Sequence, residues 1–192
     1  HAVGPKNLAT FTTPVDFKAM TLFRAWSDER YFDVDMLVDT LGLAPADMLL
    51  AAFDMLRPAG RAGANFRLLD NMWDDEFVKA HRMFDRWSND MLPLAGEYFR
   101  ETTKWLTWEN RLMEGTLRIG GRPVELDKIR CPFLHVTAEH DHIVTTAASA
   151  PLIGLIGSED KEQVVLKGGH VSLIAGPNAV KRMWPKLDAW LG

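Results

Sequence analysis

At 192 residues, 47% hydrophobic and 25% charged, the chain has the size and balance of one ordinary globular domain, which excludes a disordered chain. Its formal charge of −4, with Lys and Arg scattered rather than striped, gives no electrostatic case for nucleic acid. A single cysteine, Cys131, rules out an intrachain disulfide and fits a reducing compartment, and no run of about 18 apolar residues is available to span a membrane.

The first six residues, His-Ala-Val-Gly-Pro-Lys, lack the charged-then-apolar pattern of a signal peptide and a starting Met, so the chain is expected to begin inside a longer protein. Asn7–Thr13, closed by Pro14, reads as a buried strand. Apolar residues then recur at helical spacing over 18–26 and 33–41, and Pro45-Ala-Asp starts a helix carrying Met48, Leu49, Ala52, Phe53 and Leu56 on one side. Pro58–Gly63 reads as a break. Helical patterns resume over 66–73 and 74–87, with Asp74, Asp75 and Glu76 suiting a helix N-terminus. A single long helix is expected over 95–112.

The texture changes at Gly115. Residues 116–126 read as two short extended pieces around a Gly-Gly turn. A second buried strand is expected over 129–138, a helix over 147–155, a third strand over 162–166, and a closing amphipathic helix over 179–191. Strands alternating with helices indicate an α/β fold with a parallel sheet. The long helical stretch reads as an insertion, such as a cap, giving a core segment at 1–20, the insertion at 21–112 and a C-terminal core at 113–192. Three parallel strands leave an edge of unpaired backbone groups that missing strands or a partner must cover. The seven tryptophans and nine methionines are expected to fill core and helix interfaces, with a greasy surface or channel for an apolar ligand as the alternative.

In a parallel sheet the chemistry sits in loops past the carboxyl ends of the strands. Two such loops stand out: Ala138-Glu-His-Asp141-His142 after the second strand and Gly168-Gly169-His170 after the third. An acid and a histidine in that order match the last two members of a nucleophile–acid–histidine triad. The histidine can take a proton from a thiol or hydroxyl near neutrality, and the carboxylate fixes its tautomer. Asp141 is preferred over Glu139, because the outer turn of the loop faces the histidine. The plainer alternative is that Asp141 caps the next helix and His170 is an ordinary loop histidine.

His135, His140 and His142 offer no fourth group for a metal, so none is expected. His135 reads as a core or sheet-face residue and His81 as solvent-exposed. Cys131 opens the second strand, roughly 20 Å from the catalytic edge, and reads as structural rather than nucleophilic. No Gly-x-Ser-x-Gly or Gly-x-Cys-x-Gly elbow occurs in the chain.

Several motifs in register carry a resemblance: Lys6-Asn-Leu, Thr13-Pro-Val-Asp-Phe17, Leu41-Gly-Leu-Ala-Pro-Ala-Asp-Met48, Phe84-Asp-Arg-Trp-Ser-Asn-Asp90 and Asn110-Arg-Leu-Met-Glu-Gly115. They continue with Gly120-Gly-Arg-Pro-Val-Glu-Leu126, Asp141-His-Ile-Val144, Ser158-Glu-Asp160, Gly168-Gly-His170, Trp184-Pro and Trp190-Leu191. Together they resemble polyhydroxyalkanoate synthases through essentially the whole chain. The resemblance implies the C-terminal strands of an α/β-hydrolase core with an inserted helical cap. It implies an acyltransferase that moves an (R)-3-hydroxyacyl group from coenzyme A to an enzyme thiol and then onto a growing polyester. Asp141 and His170 match the catalytic aspartate and histidine, and the cysteine nucleophile lies in an upstream Gly-x-Cys-x-Gly-Gly elbow outside this chain. The histidine or the aspartate then assists the attacking 3-hydroxyl.

No cofactor is implied beyond the coenzyme A thioester as substrate. The implied partners are a homodimer, a second non-catalytic subunit and the surface of a polymer granule, with a cytoplasmic location. One departure is Thr145-Thr146, where the family continues with proline. Two other readings stand beside this one: a serine esterase sharing the fold, and a truncated, non-catalytic homologue that binds granules or a partner.

Overall fold

A computed structural model of the chain describes residues 4–192. Residues 1–3, the start of the segment read as lacking a signal pattern and of the expected 1–20 core segment, lie outside the described residues. In chain order the first elements are β1 (Leu8–Phe11), α1 (Thr21–Trp26), α2 (Val34–Leu41), β2 (Leu43–Ala44) and α3 (Ala46–Leu56). Next come α4 (Ala59–Asp70), α5 (Asp75–Asn89), β3 (Leu94–Ala95) and α6 (Gly96–Glu101). The chain continues through β4 (Arg118–Ile119), β5 (Arg122–Pro123), β6 (Phe133–Ala138), α7 (Thr146–Ser149) and α8 (Leu152–Leu155). It closes with β7 (Lys161–Leu166), α9 (Gly176–Asn178) and α10 (Trp184–Leu191). These elements divide into two compact units, His1–Glu29 with Lys104–Gly192, and Arg30–Thr103.

The first unit is built on a parallel sheet ordered β1-β6-β7. All six residues of the central strand β6 are buried, as expected for a strand covered on both faces. Its alternation sorts two cores. Leu134, Val136 and Ala138 face Leu173, Met183, Leu187 and Trp190, while Phe133 faces Val15, Leu152 and Ile156. Full burial of Phe133, Leu134 and Val136 contributes about 1.5–3 kcal/mol each. β1 is only half-buried, unlike the buried strand expected at 7–13, because it forms one edge of the sheet.

Two of the family-like motifs meet in this unit. Asn110 is buried with φ +56°, accepts the Phe17 N–H at 2.8 Å and donates to Asp16 Oδ1 at 2.9 Å. Lys18 reaches Glu114 at 2.8 Å on the surface of the same junction. Thr13–Phe17 and Asn110–Gly115 therefore clamp the segment leaving β1. Replacing Asn110 by Ala strands a buried backbone N–H and should cost about 2–3 kcal/mol, read as a lower midpoint in urea unfolding. Asn110→Gly keeps the backbone freedom but loses both bonds, so it should not restore stability.

The second unit is helical, with β2 pairing antiparallel to β3. Arg100 bridges Asp35 at 2.6 Å and Asp39 at 2.5 Å, and the Phe32 and Phe99 rings meet edge to face at 6.2 Å. A Cβ on Gly96 would lie 2.6 Å from both the Gly42 carbonyl oxygen and Val38 Cγ1, so only glycine lets these backbones approach.

Several expectations need correction. The break at 58–63 is instead the first part of α4, because Pro58 already has helical angles and Gly60 and Gly63 accept them. The single helix over 95–112 ends α6 at Glu101, widens into π-type turns over Thr102–Trp108 and is stopped by the left-handed Asn110. The strand expected from 129 begins at Phe133, and the helix over 147–155 is split into α7 and α8 around Ala150-Pro151. The closing helix over 179–191 opens with a π turn at Ala179–Met183 before α10. The tryptophans and methionines, expected to fill core and helix interfaces, do so only in part: Met20 and Met183 are buried and Trp190 packs on the core, whereas Trp73 is 80% exposed and Met36, Met55, Met72, Met83, Trp87 and Trp184 are also exposed. His81 is half-buried rather than exposed, its ring 6.4 Å from that of Phe77.

Candidate active site

The hydrogen bonding of β6 and β7 runs on past their ends. Glu139 N–H donates to the Leu166 carbonyl at 2.9 Å, and His140 N–H to that of Gly168 at 2.9 Å. The acid loop and the histidine loop are thus zipped together by backbone, which is what adjacent parallel strands permit. Gly168 has φ +148°, and a Cβ there would lie 2.2 Å from Ser172 Oγ. The Ser172 hydroxyl donates to the Gly169 carbonyl at 2.6 Å, and Arg182 donates to the Lys167 carbonyl at 2.9 Å. Together these bonds hold the turn that presents His170 at the start of a short 3-10 helix.

His170 Nδ1 lies 2.7 Å from Asp141 Oδ2. The other carboxylate oxygen, Oδ1, accepts the backbone N–H groups of Ile143 and Val144, both at 2.9 Å. The Asp141 side chain is fully buried, whereas that of His170 is one-third exposed. Burial pushes the Asp141 carboxyl up. The hydrogen bond from His170, the Val144 N–H, the charge of His170 and the Ile143 N–H outweigh it and hold the carboxyl below its ordinary value of 3.8. An ionised Asp141 can only accept, so Nδ1 carries a proton and donates it, which leaves Nε2 as the ring nitrogen turned away from the acid.

The depressed acid has a consequence for stability. A carboxyl held low in the folded chain stabilises it above the unfolded value, and that contribution drains away as pH falls through the folded value. Acid unfolding of the natural sequence should therefore steepen below about pH 4, whereas Asp141→Asn should lack that component. Parallel acid titrations followed by circular dichroism check this; identical profiles would contradict it.

The other candidate residues lie elsewhere. Glu139 is half-exposed beside His140 at 4.0 Å and takes no part in the Asp141–His170 bond. His135 is fully buried in β6, held by Thr10 Oγ1 at 2.8 Å and Ser149 Oγ at 3.1 Å, and burial lowers its pKa. His135, His140 and His142 do not converge: the first is in the core and the other two are exposed. Cys131 is half-buried two residues before β6, at the opposite end of that strand from Asp141. Thr145, where the resemblance leads to proline, has φ −62° and caps α7 by accepting the Ala148 N–H at 3.3 Å. That backbone suits either residue, so the departure leaves the loop path intact. Sequence reasoning missed Thr12, whose Oγ1 lies 3.3 Å from His170 Nδ1. A left-handed threonine before Thr13-Pro14 carries no mark in a single sequence.

A parallel sheet with helices, an acid in the loop after one strand and a histidine after the next define an α/β protein of the α/β-hydrolase kind. Two solved structures resemble it at low identity. Esterase E22 has TM-score 0.48 and 13% identity over 97% of this chain and 54% of that one. A putative non-heme bromoperoxidase, BpoC, from Mycobacterium tuberculosis has TM-score 0.46 and 16% identity over 97% and 59%. No family model matches the chain. Among curated relatives, the Poly(3-hydroxyalkanoate) polymerase subunit PhaC of Allochromatium vinosum is 35% identical over 100% of the chain and 54% of its own length. That of Thiocystis violacea is 32% identical over the same shares, and that of Haloarcula marismortui 30% over 86% of the chain and 35% of its own length. Through its whole length the chain is similar to the polyhydroxyalkanoate polymerase subunits PhaC. It spans about half the length of the first two of these relatives.

Proposed function

We propose that this chain carries the acid–base half of a Cys-His-Asp acyltransferase that polymerises (R)-3-hydroxyacyl groups from coenzyme A into polyester. The observation that carries the reading is the 2.7 Å bond between buried Asp141 and His170 Nδ1. His170 Nε2 takes the proton of a thiol supplied by a Gly-x-Cys-x-Gly-Gly elbow upstream of this chain, and the thiolate is the competent nucleophile. The thiolate attacks the thioester carbonyl, the C–S bond to coenzyme A breaks, and the departing thiolate takes a proton from the imidazolium. The acyl group then passes from the enzyme sulfur to a 3-hydroxyl of the growing chain.

Asp141 has both oxygens engaged and no exposed surface, which supports His170 rather than Asp141 as the base for that hydroxyl. We assign residues 21–112 as the helical cap. The exposed Phe66, Trp73, Met83, Phe84 and Trp87 of that region suit an apolar polymer, a second subunit or a granule surface. No helix among the described residues is long and apolar enough to cross a membrane, and we place the polymerase in the cytoplasm at its granules.

The test is to incubate the full-length protein with (R)-3-hydroxybutyryl-CoA and identify the product. The reading expects coenzyme A released together with polymer. Free 3-hydroxybutyrate without polymer, with serine in the upstream elbow, would assign the protein to the esterases instead.

A further inference from the structure

Thr12 combines two unusual features at one position. It has φ +44°, in the left-handed region that a β-branched residue rarely occupies, and it is buried. Its backbone N–H donates to the Val136 carbonyl at 2.8 Å, continuing the β1–β6 ladder one residue past the end of β1. The sheet therefore pins the backbone of Thr12 in this conformation. Its Oγ1 then lies 3.3 Å from His170 Nδ1, a residue 158 positions away in sequence. Glycine would satisfy the backbone here without strain, so the turn alone does not call for a threonine. The hydroxyl is what glycine would lack.

From this geometry we infer that Thr12 is a positioning residue that fixes the ring plane of His170. Nδ1 has one proton, and it points at Asp141 Oδ2, 2.7 Å away. Thr12 Oγ1 is a second, longer acceptor beside the same N–H, a three-centre arrangement anchored on two different strands' loops. The ring torsion of histidine is broad, so a single acceptor leaves the imidazole free to pivot about the Nδ1–H axis. A second acceptor out of line with the first narrows that pivot and sets the direction of Nε2. Thr12 cannot itself be the nucleophile, because it meets the nitrogen that faces the acid and not Nε2.

The inference rests on the functional reading for its kinetic consequence but not for its structural one, and the experiment separates the two. In the full-length polymerase, Thr12→Val keeps the shape and removes the acceptor, Thr12→Ser keeps the hydroxyl, and Thr12→Gly relieves the backbone. With 3-hydroxybutyryl-CoA as substrate, Thr12→Val and Thr12→Gly should each lower kcat about tenfold with KM unchanged, and Thr12→Ser should restore it to within about twofold. Thr12→Gly should do so while raising Tm, which a merely structural role would not produce. Independently of activity, the low-field Nδ1–H proton resonance of His170 in histidine-labelled protein should shift or broaden in Thr12→Val and return in Thr12→Ser. An unchanged resonance in Thr12→Val, or a Thr12→Ser variant behaving like Thr12→Val, overturns the inference. A resonance that responds as expected in a protein that does not turn over this thioester would keep the positioning role and overturn the functional reading.

Discussion

Replacing Asp141 by Asn in the full-length protein is expected, on the proposed function, to lower coenzyme A release from 3-hydroxybutyryl-CoA by about 10⁴-fold, with the fold retained. The carboxamide oxygen can still accept the N–H groups of Ile143 and Val144, so the loop keeps its turn. The amide nitrogen then faces His170 Nδ1 as a donor, where Asp141 Oδ2 is an acceptor at 2.7 Å. The imidazole answers by moving its proton to Nε2, and a protonated Nε2 cannot take a proton from a thiol. His170→Gln removes the base altogether and should fall in the same range, about 10²–10⁴-fold. Because the two side chains act as one unit, the double variant should be little worse than either single one. Initial rates of thiol release measure all three.

The second large effect is on folding, at Gly157 between α8 and β7. A Cβ there would sit 1.8 Å from the Asp127 carbonyl oxygen and 2.8 Å from its carbon. Both are backbone atoms, and the Gly157 carbonyl is itself held by Arg130 Nη1 at 2.5 Å, so neither side can yield cheaply. Gly157→Ala should destabilise by about 3 kcal/mol or more, the upper end of overpacking costs. Gly154, three residues earlier in α8, meets nothing within 4 Å and has no positive φ. Gly154→Ala should therefore stabilise by about 0.5–1 kcal/mol. Opposite shifts in the urea midpoint of these variants check the close approach, and a shared sign would contradict it.

What the sequence makes legible is set by local signals. The apolar run ending in Leu134-His-Val136 and the polar loop carrying Asp141 announce a strand and the loop past its carboxyl end, and Gly168-Gly169-His170 repeats the pattern after β7. Strand order and polarity then bring the two loops together, so the Asp141–His170 pair follows from period and order. The rest depends on contacts distant in sequence. Asn110 reads as a residue near a helix end, and only its bonds to Asp16 and Phe17 reveal a clamp. Thr12 is invisible until β1 pairs with β6. Gly60 and Gly63 read as a break because propensity penalises glycine, yet the neighbouring residues of α4 carry them into a helix. Trp73 and Trp87 are expected inside on composition, but composition cannot say which side of a helix has a neighbour.

The central claim is that the Asp141–His170 pair activates a thiol, and single-turnover acylation measured by intact mass tests it most directly. Full-length protein mixed with a stoichiometric amount of 3-hydroxybutyryl-CoA should gain one hydroxybutyryl group, on the cysteine of the proposed elbow, as coenzyme A is released, and His170→Gln should gain none on that time scale. Acylation of His170→Gln at the natural rate would contradict the account.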